Sequence, residues 1–273
     1  MKFTIGLVVA IILIGGGTYW YLSSRSSGEI PVEVIEESTP VVSEPEPVPE
    51  PLAEPVSQEP EPVPEEPLPS LDEADSWVFG KLKPVLTHPV FQGLFKQTQV
   101  IRNWVVAMDR LARGENAYRQ LHYFHPGGAF EVSASDEKIY LSADNFRRTT
   151  AWIDVLNQLP QQELLDFYGL MEPLVLEAYS ELGNPEPWSW VVERVHTQVQ
   201  AFRYPDEPIE LVGREGVYIF KDPELEARTP LEKAMIRMGS EHANQLQKWS
   251  KSTYAQWEMN FHKKNIDKDS SLD

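Results

Sequence analysis

The chain has 273 residues, a formal net charge of −18 at neutral pH and no cysteine. Without thiols it forms no disulfide, thiolate metal site, cysteine nucleophile or lipid-modified cysteine. The acidic balance and the absence of a basic stripe argue against a nucleic-acid partner, because no surface would neutralise phosphates.

Residues 3–22 form an uncharged apolar run between Lys2 and Arg25. A helix of this length spans about 30 Å, which matches the hydrocarbon thickness of a bilayer. The run ends on three aromatic residues, 19–21, which suit the membrane interface, and it is longer than the core of a cleavable export signal, the alternative interpretation. We predict a single-pass transmembrane anchor over residues 1–25. The flanking charges favour a cytoplasmic N-terminus and an exported body.

Residues 26–69 are predicted to be a disordered, acidic linker. Between positions 29 and 69 the sequence has twelve prolines, twelve glutamates and no lysine or arginine. Proline cannot donate to a hydrogen-bond ladder, and the like charges repel, so the segment favours an extended conformation with a reach of up to roughly 130 Å. It would hold the body away from the membrane. Recognition of its PxxP-like segments by another protein is the alternative.

Residues 70–273 are long enough for one domain, which we predict to be mainly α-helical with one small β-hairpin. A capping box, Ser70 with Glu73, opens the first helix. A long helix is expected from Pro89 to Arg113, with Gly114 as its C-terminal cap. Between residues 129 and 142 the apolar period changes from 3.6 to 2, which predicts the hairpin.

Two charged residues of the long helix are candidate site residues. Arg102 and Asp109 lie seven positions apart, and therefore on one side of the helix. They could belong to a structural ion-pair network or form a polar wall of a site.

The remaining pattern is helical apart from one short extended segment over residues 217–220. Proline or capping residues open several helices, and glycines end two of them. The predicted helices begin at Ser142 or Asp144, at Pro160 (through a kink at Pro173 to Gly183), at Trp188 (to Phe202), at Asp222-Pro223, at Thr229-Pro230 (to Gly239) and at Ser240 (to Lys264).

The last helix carries an apolar stripe with helical spacing, composed of Leu246, Trp249, Thr253, Trp257 and Phe261. The stripe could dock on the core of the domain or form a surface for a partner.

Catalytic motifs are scarce. We find no dinucleotide or P-loop fingerprint, no G-x-S-x-G and no H-E-x-x-H. One S-x-x-K, from Ser135 to Lys138, falls in the predicted hairpin turn rather than at a helix start. His122 and His125 form an H-x-x-H, but two imidazoles are too few for a zinc site without another ligand. We predict no cofactor, and assign no catalytic, cofactor-binding or metal-ligating residue.

Several blocks of sequence, in one order, resemble a known family. They are residues 71–75, Ile101-Arg102 with Asp109 and residues 111–114, residues 145–148, Pro173-Leu174 with residues 177–179 and 181–183, and residues 217–223 with 225–226 and 237–239. The chain resembles the proteobacterial family known as domain of unknown function 3014. The resemblance implies an N-terminally anchored protein of the bacterial envelope. With the orientation that the flanking charges favour, we expect residues 1–25 in the inner membrane and the C-terminal domain in the periplasm. It implies no activity.

Three hypotheses for the function remain open. The first is a non-catalytic binding or scaffold module that recognises an envelope protein or peptidoglycan, with Trp188, Trp190, Trp249 and Trp257 as its expected exposed aromatic residues. The second is an envelope enzyme acting on wall glycan or peptide, which would bring Arg102, Asp109, His122 and His125 into one cleft. The third is a TonB-like energy-coupling protein, suggested by the Glu-Pro spacer.

Overall fold

The computed structural model describes residues 67–122 and 128–262. The predicted anchor, the linker up to residue 66 and His125 lie outside the described residues, so these predictions are not tested. None of the described helices is both long and apolar enough to cross a membrane.

The described chain is mostly helical with one small antiparallel sheet, which confirms the predicted fold class in outline. Three 3₁₀ turns (Leu71–Glu73, Pro89–Phe91, Leu94–Lys96) and a π-helical turn (Glu258–His262) accompany the α-helices. The α-helices are α1 (Ala74–Leu82), α2 (Val100–Ala112), α3 (Tyr118–Leu121), α4 (Asp144–Gln158), α5 (Gln161–Ser180), α6 (Trp188–Ala201), α7 (Pro223–Glu226), α8 (Pro230–Met238) and α9 (Ser240–Trp257).

The sheet has four strands in the order β1 (Val132–Ser135), β2 (Lys138–Leu141), β3 (Glu210–Arg214) and β4 (Val217–Phe220), each antiparallel to its neighbours. The prediction of a single hairpin was therefore incomplete. The pair β1–β2 is the predicted hairpin, whereas β4, predicted only as extended, pairs with the unpredicted β3. An exposed glycine, Gly213, and adjacent apolar residues hide the two-residue period of β3.

Both hairpins close through two-residue turns of the same type. The φ angles are 51° at Asp136 and 62° at Glu137 in the first turn, and 51° at Glu215 and 83° at Gly216 in the second. Positive φ at both central positions characterises the type I′ turn, whose twist matches that of the flanking strands.

The predicted helix from Pro89 to Arg113 was wrong in its first half, because α2 begins only at Val100. Gln99 has a φ of 52°, which interrupts the helix. Asp75, on α1, accepts hydrogen bonds from the backbone nitrogens of Gln99 (2.6 Å) and Val100 (2.8 Å). A side chain 24 positions earlier thus caps α2, and local periodicity cannot reveal such a contact.

Remote amide side chains also satisfy helix ends. Gln198 of α6 donates to the carbonyl oxygens of Leu111 and Ala112 at the end of α2, both at 3.0 Å. Gln247 of α9 donates to two carbonyls at the end of α6, at 2.9 and 3.0 Å. Gly114, with a φ of 74°, ends α2 as predicted. These bonds fix how the helices meet, since terminal carbonyls lack partners within their own helix.

Of the predicted N-terminal caps, those at Asp222 and Thr229 form completely and the one at Ser70 does not. Of the alternatives Ser142 and Asp144, the hydroxyl of Ser142 accepts from the backbone nitrogen of Asp144 at 3.2 Å. Asp222 accepts from the backbone of α7, and Thr229 forms a full capping box with Glu232 at the start of α8. The hydroxyl of Ser70 instead donates to the carboxylate of Glu73 at 2.9 Å, and no side chain bonds the helix backbone there.

The apolar stripe of the last helix is buried, so docking on the core is confirmed and a partner-facing stripe is wrong. Leu246, Trp249, Thr253 and Trp257 are each exposed by 6% or less. Their helix packs against α4, α5, α6 and α8. Helix α9 ends at Trp257, and a π-helical turn follows it. Helix α5 continues without interruption through Pro173.

Candidate functional site

Arg102, the first predicted site residue, is held by two acidic side chains. Its Nε and Nη2 donate to the two carboxylate oxygens of Glu181 at 2.7 and 2.8 Å, and its Nη1 donates to Asp72 at 2.7 Å. These hydrogen bonds raise the pKa of Arg102 and lower the pKa of Glu181. The guanidinium therefore connects α2 to the residue that follows α5 and to the turn before α1.

Asp109 lies on the same side of α2, seven residues after Arg102, and belongs to a second group of polar side chains. It accepts from Nε of Arg113 at 3.1 Å and from Asn184 at 2.9 Å. Arg113 also donates to Glu186 at 2.9 Å, and its guanidinium lies 5.4 Å from the ring centre of Trp190. The bonds to Asp109 and Glu186 raise the pKa of Arg113, and its own bond lowers the pKa of Glu186.

Together these groups form what we call the α2 seam: Arg102, Asp109 and Arg113 with their partners between residues 181 and 186. The seam joins α2 to the loop between α5 and α6. Its charges are paired with opposite charges, and the pKa shifts of Arg102, Arg113, Glu181 and Glu186 favour their ionised forms. The geometry supports the structural ion-pair network rather than the polar wall of a site.

The predicted exposure of the tryptophans was wrong for three of the four. Trp188, Trp249 and Trp257 are exposed by 4%, 6% and 3%. Trp190 is partly buried and packs against the core. A stripe of large aromatic residues at helical spacing is as typical of a core as of a binding face, and burial of so much apolar area stabilises the fold.

The two histidines of the H-x-x-H cannot be compared, because His125 lies outside the described residues. His122 is exposed, with Nδ1 at 3.0 Å from the carbonyl oxygen of Arg119 and its ring edge-on to Tyr118. In residues 67–122 and 128–262, no three histidine, aspartate or glutamate side chains are placed to hold a metal ion.

A buried polar chain that the sequence did not indicate links α5 and α6. Nε1 of Trp188 donates to the hydroxyl of Tyr168 at 3.0 Å, and this hydroxyl donates to Glu172 at 3.2 Å. Burial raises the pKa of both Tyr168 and Glu172. The four-residue spacing of the tyrosine and glutamate on one helix was the available signal. These hydrogen bonds satisfy the buried donors of Trp188 and Tyr168, since each donor bonds another protein group.

A histidine and a serine meet between α6 and α9. Nδ1 of His196 lies 3.0 Å from the hydroxyl of Ser250, and its ring stacks on Tyr254 with 4.0 Å between ring centres. Burial lowers the pKa of His196 and favours the neutral ring. Nucleophilic catalysis also needs oxyanion donors and room above the hydroxyl. Ser250 lies in the middle of a long helix, and the pair serves as a contact between helices.

Asn145 is a buried polar residue, exposed by 2%, that holds the backbone just before β1. Its Oδ1 accepts from the backbone nitrogen of Glu131 at 2.9 Å, and its Nδ2 donates to the carbonyl oxygens of Glu131 and Ser142. The amide thus bonds Glu131 on both sides, as a neighbouring strand residue would. It extends the β1–β2 ladder by one position and fixes the path of β1.

The outer edge of β4 is covered by the segment that comes after it. The backbone nitrogen of Phe220 donates to a carboxylate oxygen of Glu226, on α7, at 3.0 Å. The other oxygen of Glu226 accepts from Lys233 at 2.9 Å. The guanidinium of Arg237 lies 4.8 Å from the ring centre of Phe220, and burial lowers the pKa of this arginine to about 10. Side chains from two helices therefore cover this edge at Phe220.

The opposite edge of the sheet is β1, and its side chains are small. Ser133, Ala134 and Ser135 are exposed, whereas Val132 is partly buried against the core. Neither a charged residue nor a proline lies within the strand. Natural proteins commonly protect edge strands with such residues, so β1 is the more open edge of the described sheet.

These features define a mostly helical domain with an antiparallel four-stranded meander, stabilised by remote helix caps and by the α2 seam. The family model described as "Protein of unknown function (DUF3014)" matches residues 100–252. The chain belongs to this family, as the resemblance indicated. No curated protein and no solved structure matches the chain.

Proposed function

We propose that the protein is a non-catalytic binding or scaffold module of the bacterial cell envelope. In this proposal residues 3–22 anchor the chain in the inner membrane, residues 26–69 are the linker, and residues 70–273 lie in the periplasm. The uncharged run and the proline-glutamate composition support the anchor and the linker. The partner would be an envelope protein or peptidoglycan.

One observation supports the non-catalytic part of the proposal above all others. Arg102 and Asp109, which the sequence singled out as polar candidates, each bond different partners within the domain. Catalytic groups need free lone pairs or protons aimed at a common point. Ion pairs and hydrogen bonds that link helices instead support a rigid domain whose surface could bind a partner.

The location is tested by fractionating cells that carry the full chain. We expect it in the inner-membrane fraction, and we expect protease to reach the body after the outer membrane is opened. Ile12→Arg places a charge at the centre of the run, which costs about 2.5–3.5 kcal/mol on insertion, and should shift the chain toward the soluble fraction. Ile12→Leu is the matched control. Unchanged chain in the soluble fraction, or a body that protease cannot reach, would contradict the proposal.

Binding is tested by chemical crosslinking of the full chain in intact cells and by its sedimentation with purified peptidoglycan. We expect either a discrete crosslinked adduct or retention on the wall polymer. If neither forms, the binding role is wrong. Cleavage of wall glycan or peptide by the purified full chain would show an enzyme instead.

A further inference from the structure

The pairing register of the first hairpin determines which backbone groups of β1 point away from the sheet. Ser135 pairs with Lys138 next to the two-residue turn, and Ser133 pairs with Tyr140. In such a turn the flanking pair is hydrogen-bonded, and hydrogen-bonded pairs then alternate along the ladder. Ser133 and Ser135 therefore bond β2, while the N–H and C=O groups of Val132 and Ala134 point outward.

The same alternation holds on the neighbouring strand, where it can be checked. The backbone nitrogen of Leu141 donates to the carbonyl oxygen of Ile209 at 2.9 Å, so Leu141 faces β3 and not β1. Val132 is the partner of Leu141 across the hairpin, so the backbone N–H and C=O groups of Val132 point away from β2. Asn145 agrees with this parity, because it bonds the inward-facing groups of Glu131.

We propose that β1 is the surface at which two copies of this chain associate, edge to edge and antiparallel, about a two-fold axis at Ser133. In this register Val132 of one copy pairs with Ala134 of the second copy, and Ala134 with Val132. The four outward groups on each copy then find partners, and two four-stranded sheets join into one. A two-fold axis requires this kind of self-complementary surface. The proposal goes beyond the proposed function and does not require the membrane anchor.

The charges beside the strand permit a second copy as the occupant, because this register keeps the acidic side chains apart. Glu131 falls opposite Ser135 of the second copy, and Asp136 falls opposite Phe130. No acidic residue therefore faces another across the interface, although the chain is strongly acidic. Like charges directly opposite would destabilise the pairing. The small side chains of Ser133 and Ala134 also let the two strands approach to the usual spacing of about 4.8 Å.

The interface is short, with two outward residues on each copy, and smaller than the interfaces of stable dimers. We therefore expect weak, reversible association that is best detected by trapping. The absence of cysteine from the natural sequence makes single-cysteine variants unambiguous reporters.

The test uses the full chain with Ser133→Cys. This residue lies on the proposed axis, in a pair that is not hydrogen-bonded across the interface, where Cα atoms are about 4.5 Å apart and a disulfide can form. Ser135→Cys is the matched control, because the two residues 135 would be separated by about 13 Å along the strands. We expect mild oxidation to give a disulfide-linked dimer of the first variant, with at least tenfold less from the second.

Two further changes in the Ser133→Cys background test the register. Ala134→Pro removes an outward N–H that β2 does not use, so the domain should keep its melting temperature while the dimer yield falls at least tenfold. Ser135→Lys places a cation opposite Glu131 of the second copy and should raise the yield about two- to tenfold, whereas Ser135→Glu should lower it by a similar factor.

Equal crosslinking through positions 133 and 135 would overturn the proposed register. So would a yield that Ala134→Pro leaves unchanged in a folded protein, or an adduct of Ser133→Cys with a different protein in place of the dimer. The absence of any dimer up to millimolar chain concentration would overturn self-association itself, and would leave the membrane location and wall binding to be judged by their own experiments.

Discussion

The two edges of the small sheet differ in how they end. At β4, the carboxylate of Glu226 accepts from the edge nitrogen of Phe220, and α7 and α8 supply the covering side chains. At β1, the strand carries exposed serine and alanine with no charge within it. Both hairpins have the same turn type and similar length, so local strand geometry is not the cause of the difference.

The closure of an edge depends instead on the neighbouring segment of the chain. After β4, a proline-initiated helix begins within three residues, and its first turn brings Glu226 back to the strand. Within residues 67–122 and 128–262, no helix side chain bonds the outward backbone groups of β1, and Asn145 instead bonds the inner side of the preceding residue. An open edge with a fixed path is suited to pairing with another strand.

The largest expected effect comes from removing the clamp on β1. Asn145→Ala leaves the backbone groups of Glu131 and the carbonyl of Ser142 without their amide partner at a partly buried site. We expect a loss of about 2 kcal/mol in the free energy of unfolding, because three backbone groups lose their hydrogen bonds and a buried side chain is truncated. Denaturant titration measures this loss.

The matched control is Asn157→Ala, which removes an exposed asparagine of the same helix. Its amide donates to Gln245 at 2.6 Å on the surface, so we expect a change within about 0.5 kcal/mol. Equal effects of the two substitutions would show that Asn145 does not hold the strand.

The next effect concerns the closed edge. Glu226→Ala removes the acceptor for Phe220 and the partner of Lys233, and should cost about 1–2 kcal/mol in thermal or denaturant unfolding. Glu226→Gln keeps an oxygen acceptor for the strand and should cost less. If alanine and glutamine are equally tolerated, side-chain closure of β4 is not what stabilises that edge.

The smallest effects come from changing the second turn residue of each hairpin. Gly216 has a φ of 83° and open space around an added Cβ, so Gly216→Ala should cost about 1 kcal/mol through backbone strain alone. Glu137 occupies the equivalent position with a φ of 62°, and Glu137→Gly should stabilise the domain by about 0.5 kcal/mol. Melting temperatures of both variants check the prediction, which requires shifts of opposite sign.

Much of the fold could be predicted from local sequence. The helical periods, the Asp222 and Thr229 caps and the first hairpin all depend on residues close in the chain, and they were found. The start of α2 depends on a contact with Asp75. Strand β3 depends on its pairing with β4, because Gly213 breaks the alternation of apolar and polar residues within β3. Such contacts between distant residues leave little local trace.

The candidate site was predictable only in part. Arg102 and Asp109 stand out in the sequence, but most of their partners come from other segments, so their structural role is visible only in three dimensions. Trp249 and Trp257 were misjudged because helical spacing does not distinguish a core stripe from an exposed one. No sequence motif marks the open edge of β1, because the outward direction of its backbone groups follows from the pairing register with β2.

Residue-resolved amide hydrogen exchange of the full chain, measured over a series of protein concentrations, compares the two edges directly. At low concentration the amides of Val132 and Ala134 should exchange fast, while those of Ser133 and Phe220 are protected. As concentration rises, Val132 and Ala134 should become protected and Phe220 should not change. Exchange at Val132 and Ala134 that is independent of concentration would contradict the account.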